Sequence, residues 1–309
     1  MAARKKLTKQ QSIKLTISLV CLLVLALVPL FIPQDDRPAP EGQLEVHFID
    51  VGQADATLLT CNGKTMLIDG GNSDDSNLIY TYLKKHAISH VDYIICTHAH
   101  EDHVGGLSGA LEYATAGIAY APVTEYNTKA FRNFQSGLQK QGLSITVPNV
   151  GTTFDLGGAS CQILAVNTDT QDANNTSIVL RVEFGETSFL FMGDAETEVE
   201  KALADSQFTL KSTVLKVGHH GSSSSTGYVF LREVMPEYAV IPVGKGNTYG
   251  HPTDTVLSLL RDADTTLYRT DMHGDILCIS DGKTVSFQTT KHPTGSPFGS
   301  VGKNSLGQG

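Results

Sequence analysis

From Val91 to His103 the chain reads VDYIICTHAHEDH, an apolar run ending on three imidazoles and a carboxylate, His98, His100, Asp102 and His103. No other string constrains the fold as strongly. Side chains that dense converge only where a loop curls round something that binds them, just past the C-terminal end of a strand. The fold must therefore offer a covered strand whose polar mouth gathers ligands. Imidazole and carboxylate together suit Zn²⁺, with Mn²⁺ or Fe as rivals. A solvated polar loop is the competing reading, and H-x-H-x-D-H is too long and unusual a string to favour it.

Short apolar or alternating runs recur on both sides of this string: LEVHFID, ATLLT, TMLID, IAYA, SITV, SCQILAV, SIVLRVEF, SFLFMGD, TVLKVG, YAVIPVG, TTLYRT, DILCIS and TVSFQ. They read as strands. Helical patterns separate some of them, over 76–86, 105–113, 128–141, 196–204, 226–234 and 253–263. SIVLRVEF, a Gly-Glu turn and SFLFMGD predict an antiparallel hairpin, whereas VDYIICT, with helices on either side, predicts a covered central strand. The expected architecture is α/β, a four-layer αββα sandwich over 43–290.

Other candidate ligands fall at similar strand ends. Asp69 closes TMLID, Asp194 closes SFLFMGD, and His219-His220 follow TVLKVG. Any one alone reads as well as a turn former. Together they supply the six or more N/O ligands, with a bridging carboxylate, that a two-metal site needs.

With these strings in hand, the chain resembles the metallo-β-lactamase superfamily, and within it the hydrolase domain of the ComEC-like competence proteins. The motifs are VHFIDVGQADA, the LIDGG and H-x-H-x-D-H strings, NNTSIVLRVEFGETSFLFMGD, LKVGHHGSSSS and NTYGHP, over about residues 44–285. The resemblance implies two divalent cations, Zn²⁺ or alternatively Mn²⁺. His98 and His100 would hold the first, Asp102 and His103 the second, and Asp194 would bridge. His219 would complete the second site, with His220 beside it facing substrate or metal, the order of the two left open. Asp69 would act from behind, fixing the ligand loop. Asn174 and Asn175 stand where many members carry a histidine, which leaves the first ion with fewer imidazoles. Ala54 stands where glycine is usual, at a cost of about 1 kcal/mol if the loop needs a positive φ there. Asp50, Gln53 and Asp55 are read as loop-forming groups at the site edge.

His251, held before Pro252, would project towards a substrate phosphate. Ser222 and Asn174 are further candidate substrate contacts. The implied chemistry is hydrolysis of a phosphodiester by a water whose pKa the cations lower, with Asp102 accepting its proton and His220 and His251 steadying oxygens or protonating the leaving group. DNA and an envelope phosphodiester are the two expected substrates. A β-lactam or lactone hydrolase, and a non-catalytic surface module related to DNA uptake, are the alternatives. His47, His86, His90, His273 and His292 have no partner in sequence and are read as structural.

The charge divides the same way as the motifs. Of 23 Lys and Arg, five lie in residues 1–14 with no acid among them, and from residue 15 the remaining 18 bases face 32 acids, a balance of −14. Such a domain is a poor candidate for coating nucleic acid through counterion release. The basic stub leads into uncharged Leu15–Ile32, which as a helix spans roughly 27 Å at about 1.5 Å per residue. It is expected to be a transmembrane anchor, followed by a linker over 33–42. RKK before it and QDD after it predict a single pass at the cell membrane, with the N-terminus cytoplasmic and the domain extracytoplasmic. No protein partner is indicated. The five cysteines form no C-x-x-C pair; Cys21 lies in the expected anchor and the other four read as buried small hydrophobes. Gly-rich, acid-free 291–309 is expected to be a disordered tail.

Overall fold

The computed structural model describes residues 42–168 and 170–299. The expected stub 1–14, anchor 15–32 and linker up to residue 41 lie outside the described residues, as do 300–309. Among the described residues no helix is long and apolar enough to cross a membrane.

The first sheet is entered by β1 (Leu44–Phe48), β2 (Thr57–Cys61), β3 (Lys64–Ile68), β4 (His90–Ile95), β5 (Thr115–Tyr120) and β6 (Ile145–Thr146). The second holds β7 (Thr153–Leu156), β8 (Ala159–Ala165), β9 (Val179–Phe184), β10 (Thr187–Phe191), β11 (Val214–Lys216), β12 (Tyr238–Ile241) and β13 (Thr266–Arg269). The chain then returns through β14 (Ile276–Ser280) and β15 (Val285–Thr289) to complete a first sheet ordered β15-β14-β1-β2-β3-β4-β5-β6. The second sheet is ordered β13-β12-β11-β10-β9-β8-β7.

Alternation along the strands builds three apolar layers. Leu44, Val46 and Phe48 of β1 meet Leu180, Val182, Phe184, Phe189 and Phe191 of β9 and β10 between the sheets. Leu58, Leu67 and Ile94 point the other way, onto helices α1 (Ser76–Lys85), α3 (Leu107–Tyr113) and α4 (Lys129–Lys140); the short α2 (Glu101–Val104) precedes α3. Leu190, Leu215 and Ala239 likewise pack on α5 (Thr197–Ala204), α6 (Tyr228–Val234) and α7 (Asp254–Asp262), and α8 (Thr270–His273) closes the series. The result is helix, sheet, sheet, helix.

The two local expectations for strands hold. β9 and β10 pair antiparallel as a hairpin, and β4 lies between parallel β3 and β5 with apolar side chains on both faces. Cys61, Cys96, Cys161 and Cys278 are buried and free. β7 is the strand the apolar runs missed: TFDL is short, half polar and at the edge of its sheet. Of the expected tail, 291–299 are described, and there Phe298 packs on the outer cluster while Arg269 donates to the Pro297 carbonyl at 2.9 Å.

Close backbone contact draws the loops at the strand mouths together. A Cβ on Gly106 would stand 1.9 Å from the Gly70 carbonyl oxygen, so only glycine lets the loop after β3 press against the His-rich loop. Gly70 N then donates to His103 O at 2.7 Å and Asp55 N to Asp102 O at 3.0 Å. In the loop after β1 the positive φ falls on Gly52, and buried Ala54 is not among the positive-φ residues, so the alanine carries no backbone cost.

Candidate metal centre

The expected metal ligands and Asp69 follow the C-terminal ends of strands: Asp69 after β3, His98 to His103 after β4, Asp194 after β10, His219 and His220 after β11. In parallel strands these ends share one edge, which is why residues far apart in sequence meet. Asp102, His103, Asp194 and His220 each present a ligand atom within 4.8 Å of the others. His103 Nε2 lies 3.3 Å from Asp194 Oδ2, and His220 Nε2 is 3.4 Å from Asp102 Oδ2 and 3.7 Å from Asp194 Oδ2.

Both imidazoles are fixed from behind. Asp69 accepts from the Thr97 amide at 2.8 Å and hydroxyl at 2.7 Å, and pairs with His103 Nδ1 at 2.9 Å. His220 Nδ1 donates to the Pro242 carbonyl at 3.0 Å. Each ring thereby turns Nε2 towards the centre. His219 and His220 both hold left-handed φ, 47° and 51°, at non-glycine positions, which costs of order 1–3 kcal/mol each. That strain gives consecutive histidines separate directions.

His103 Nε2, His220 Nε2 and Asp194 Oδ1 are buried and have no hydrogen-bond partner among the described residues. A buried polar atom left so costs about 1–3 kcal/mol. All three belong to the four-residue group, and imidazole nitrogen with carboxylate oxygen is the donor set a divalent ion takes. The residues fit the metal that the fold family implies.

The charges agree. Burial opposes ionisation of Asp194, but His103, His220 and His98 hold its carboxyl well below the usual range. Burial would lower the His103 pKa, yet the Asp194, Asp69 and Asp102 carboxylates lift it well above the ordinary histidine value. His98 goes the other way: burial, reinforced by His103, holds it well below that value.

The remaining expected residues divide. His98 Nε2 contacts His100 Nδ1 at 3.0 Å and lies 4.0 Å from Asp194 Oδ2. Asn174 faces the cleft with an unpartnered Oδ1, its Nδ2 donating to Glu196 at 3.3 Å, while Asn175 Oδ1 accepts from the Glu196 amide at 3.1 Å. His219 stands outside the four-residue group; its Nδ1 pairs with Glu196 Oε1 at 3.1 Å and its Nε2 is 3.8 Å from Asp194 Oδ2. His251 lines the cleft, its ring 5.5 Å from that of His219. Ser222 is turned into Ser224 at 2.9 Å and is not on the cleft wall. The cleft is about 350 Å³.

Two groups escaped the sequence reading. Glu196 receives both His219 and the Ser224 hydroxyl, the latter at 2.8 Å. Lys216, fully buried beneath the centre, pairs with Asp55 and donates to the Gly193 carbonyl at 2.8 Å. A lysine inside the apolar run TVLKVG, on the inward parity of Val214, was the available signal. Although burial disfavours its charge, Asp55 and Asp194 keep its pKa above the ordinary value.

Imidazoles and carboxylates gathered at the facing edges of an αββα sandwich define a metallohydrolase domain. The chain belongs to the Metallo-beta-lactamase superfamily, whose family model matches residues 49–245. It is 29% identical to ComE operon protein 3 of Bacillus subtilis (strain 168), over 77% of this chain and 33% of that protein. It is 30% identical to Competence protein ComA of Neisseria gonorrhoeae, over 79% and 33%. The chain thus spans about a third of the length of these curated relatives. Among solved structures, the metallo-beta-lactamase fold protein YhfI of Bacillus subtilis matches with a TM-score of 0.51 at 11% identity, over 80% of this chain and 100% of that one. Members of the family are generally hydrolases, and its fold implies divalent metal binding.

Proposed function

We propose that the protein is a metal-dependent phosphodiesterase acting on DNA or a cell-envelope phosphodiester. The observation that carries this is the set of unpartnered buried atoms in the Asp102, His103, Asp194 and His220 group, of which Asp102, Asp194 and His220 line a cleft also walled by His219 and His251. Relatives named for competence support a nucleic-acid-related role. In this assignment His220 takes the ligand place that the motif gave to His219. His98 and His100 would share Asp194 with a second ion.

Bound there, divalent cations would lower the pKa of a water and stabilise negative charge on the attacked phosphorus group. The chain's own residues do the rest. Asp69 and the Pro242 carbonyl orient His103 and His220. Asp102, less enclosed than the others, faces the cleft and is placed to accept a proton. Glu196 turns His219 Nε2 into the cleft, where with His251 it can donate to phosphate oxygens or to the leaving group. Asn174 Nδ2 and Oδ1 stand at the same wall. Extracytoplasmic placement on an anchor over 15–32 belongs to the same proposal, supported by the uncharged length and the charges flanking it.

The test is metal content of the purified protein with turnover of bis-p-nitrophenyl phosphate, a chromogenic cephalosporin and single-stranded DNA. Bound metal and phosphodiester turnover are expected. Cephalosporin turnover alone would replace the reading by a β-lactam hydrolase, and no metal with no turnover would remove the enzyme.

A further inference from the structure

We propose that Tyr249 is a stacking platform for a nucleobase beside the hydrolysed phosphate, so that the substrate is a nucleic acid with unstacked bases and not a base-free envelope polymer. The inference rests on the phosphodiesterase reading of the cleft and narrows it. Tyr249 is 71% exposed and lines the cleft. One side of its ring lies stacked on His251, centroids 5.8 Å apart and planes at 26°. The His251 ring meets His219, whose Nε2 is 3.8 Å from Asp194 Oδ2. A line of rings therefore runs from the metal centre to the mouth and ends on an open aromatic face.

The loop that carries the exposed ring is not loose. Asn247 Oδ1 accepts from the amides of Tyr249 and His251, both at 3.1 Å. Its Nδ2 donates to the carbonyls of Gly244 at 2.9 Å and His251 at 2.6 Å. Gly244 N is bonded in turn to Gln53 Oε1 at 3.0 Å, across 191 residues of sequence. One asparagine thus fixes the loop that carries the ring, and the entropy of ordering it is already spent in folding. A large aromatic side chain held open to water contributes little to the core, and its fixed face suits a flat partner.

Charge points the same way. A region with a balance of −14 cannot hold a polyanion by a field of Lys and Arg. Binding has to come from the metal centre and from contacts that do not read charge, and base stacking on an aromatic ring is such a contact. A quaternary ammonium headgroup asks for a cage of several rings. Tyr249 is the only tyrosine, phenylalanine or tryptophan on this cleft wall among the described residues.

The experiment compares metal-loaded wild type, Tyr249→Ala and Tyr249→Phe, measuring by fluorescence anisotropy the binding of a thymidine hexanucleotide, an abasic hexamer with the same phosphates, and poly(glycerol phosphate). Turnover of each is followed in the same samples. Wild type is expected to favour the thymidine hexamer about tenfold, Tyr249→Ala to bind it no better than the abasic one, and Tyr249→Phe to keep the preference. Equal binding of both hexamers by wild type, tighter binding of the glycerol polymer, or wild-type preference in Tyr249→Ala overturns the platform. If base-free phosphodiesters are hydrolysed without any base preference, the platform falls while the phosphodiesterase reading stands. If the base preference is present but nothing is hydrolysed, the platform stands and that reading falls.

Discussion

The two halves of the metal centre are built to different standards. On one side Asp102, His103, Asp194 and His220 form a closed ligand-spaced group, with Asp69 behind one imidazole and a carbonyl behind the other. On the other, His98 and His100 lie against each other at 3.0 Å, and Asn174 lines the same cleft. In the proposed site the first half would be arranged before any ion arrives, and the second has donors that would have to separate to accept one. Preorganised ligands bind more tightly because the ordering cost is met in folding. The difference predicts that the two ions load unequally, the Asp102 side first.

In the proposed site Asp194 would serve both halves, so the largest effect is expected there. Asp194→Asn removes the shared carboxylate and leaves two buried imidazoles facing an amide; activity should fall by about 10³-fold or more and bound metal should drop below one equivalent. Retention of two equivalents would show that Asp194 does not bridge. Replacing one ligand on each side tests the inequality directly. His100→Ala should keep one tightly bound equivalent, whereas His103→Ala should weaken the tight one, as read by elemental analysis after graded chelation. The opposite pattern would invert the comparison.

A smaller effect sharpens the source of the preorganisation. Asp69→Asn keeps an acceptor for Thr97 but takes the negative charge from behind His103, and metal affinity should fall about 10- to 100-fold. The pH dependence follows from the sign of the shifts. Asp194, Asp69 and Asp102 raise the His103 pKa above its ordinary value, and a metal ligand must be neutral, so affinity should rise with pH through the neutral range. Without the Asp69 charge the proton leaves at lower pH, and the rise should move down with it. Competition with a chromophoric chelator from pH 6 to 8 reads both; pH-independent affinity would contradict the linkage.

How far the sequence reached depends on whether ligands are contiguous. H-x-H-x-D-H was legible because six successive residues carry the pattern, and the fold because fourteen apolar runs punctuated by helical ones match strands that the structure contains. The order of His219 and His220 was not legible. Which of them enters the four-residue group follows from two successive left-handed φ angles, which a dipeptide of identical residues does not encode. Ser222, an expected substrate contact, is not on the cleft wall: the turn after those angles points its hydroxyl into Ser224. Lys216 and Glu196 were missed because each acts through a partner distant in sequence, Asp55 for one and His219 for the other.

The loop that carries His220 is clamped at its far end by a single buried acid, whose effect is read on stability. Glu200 on α5 accepts from the backbone amides of Thr226 and of Gly227, the latter at 2.8 Å, and Thr197 holds the Ser224 carbonyl beside it. Burial pushes the Glu200 pKa up from 4.5 to about 7, against the pull of those two amides. A folded-state pKa above the unfolded one means that the native protein binds more protons between the two values, so this contribution to stability is whole below about pH 4.5 and is lost as pH rises through 7. The shift corresponds to about 3 kcal/mol. Glu200→Gln removes the titration while keeping one carbonyl acceptor. Its stability relative to wild type, from denaturant unfolding of metal-free protein, should therefore improve by up to that amount between pH 5 and pH 8. If the loop is what keeps the Asp102 side ordered, tight metal binding in Glu200→Gln should also become less sensitive to pH. A constant stability difference across that range would mean that Glu200 is ionised throughout and that the clamp is an ordinary carboxylate.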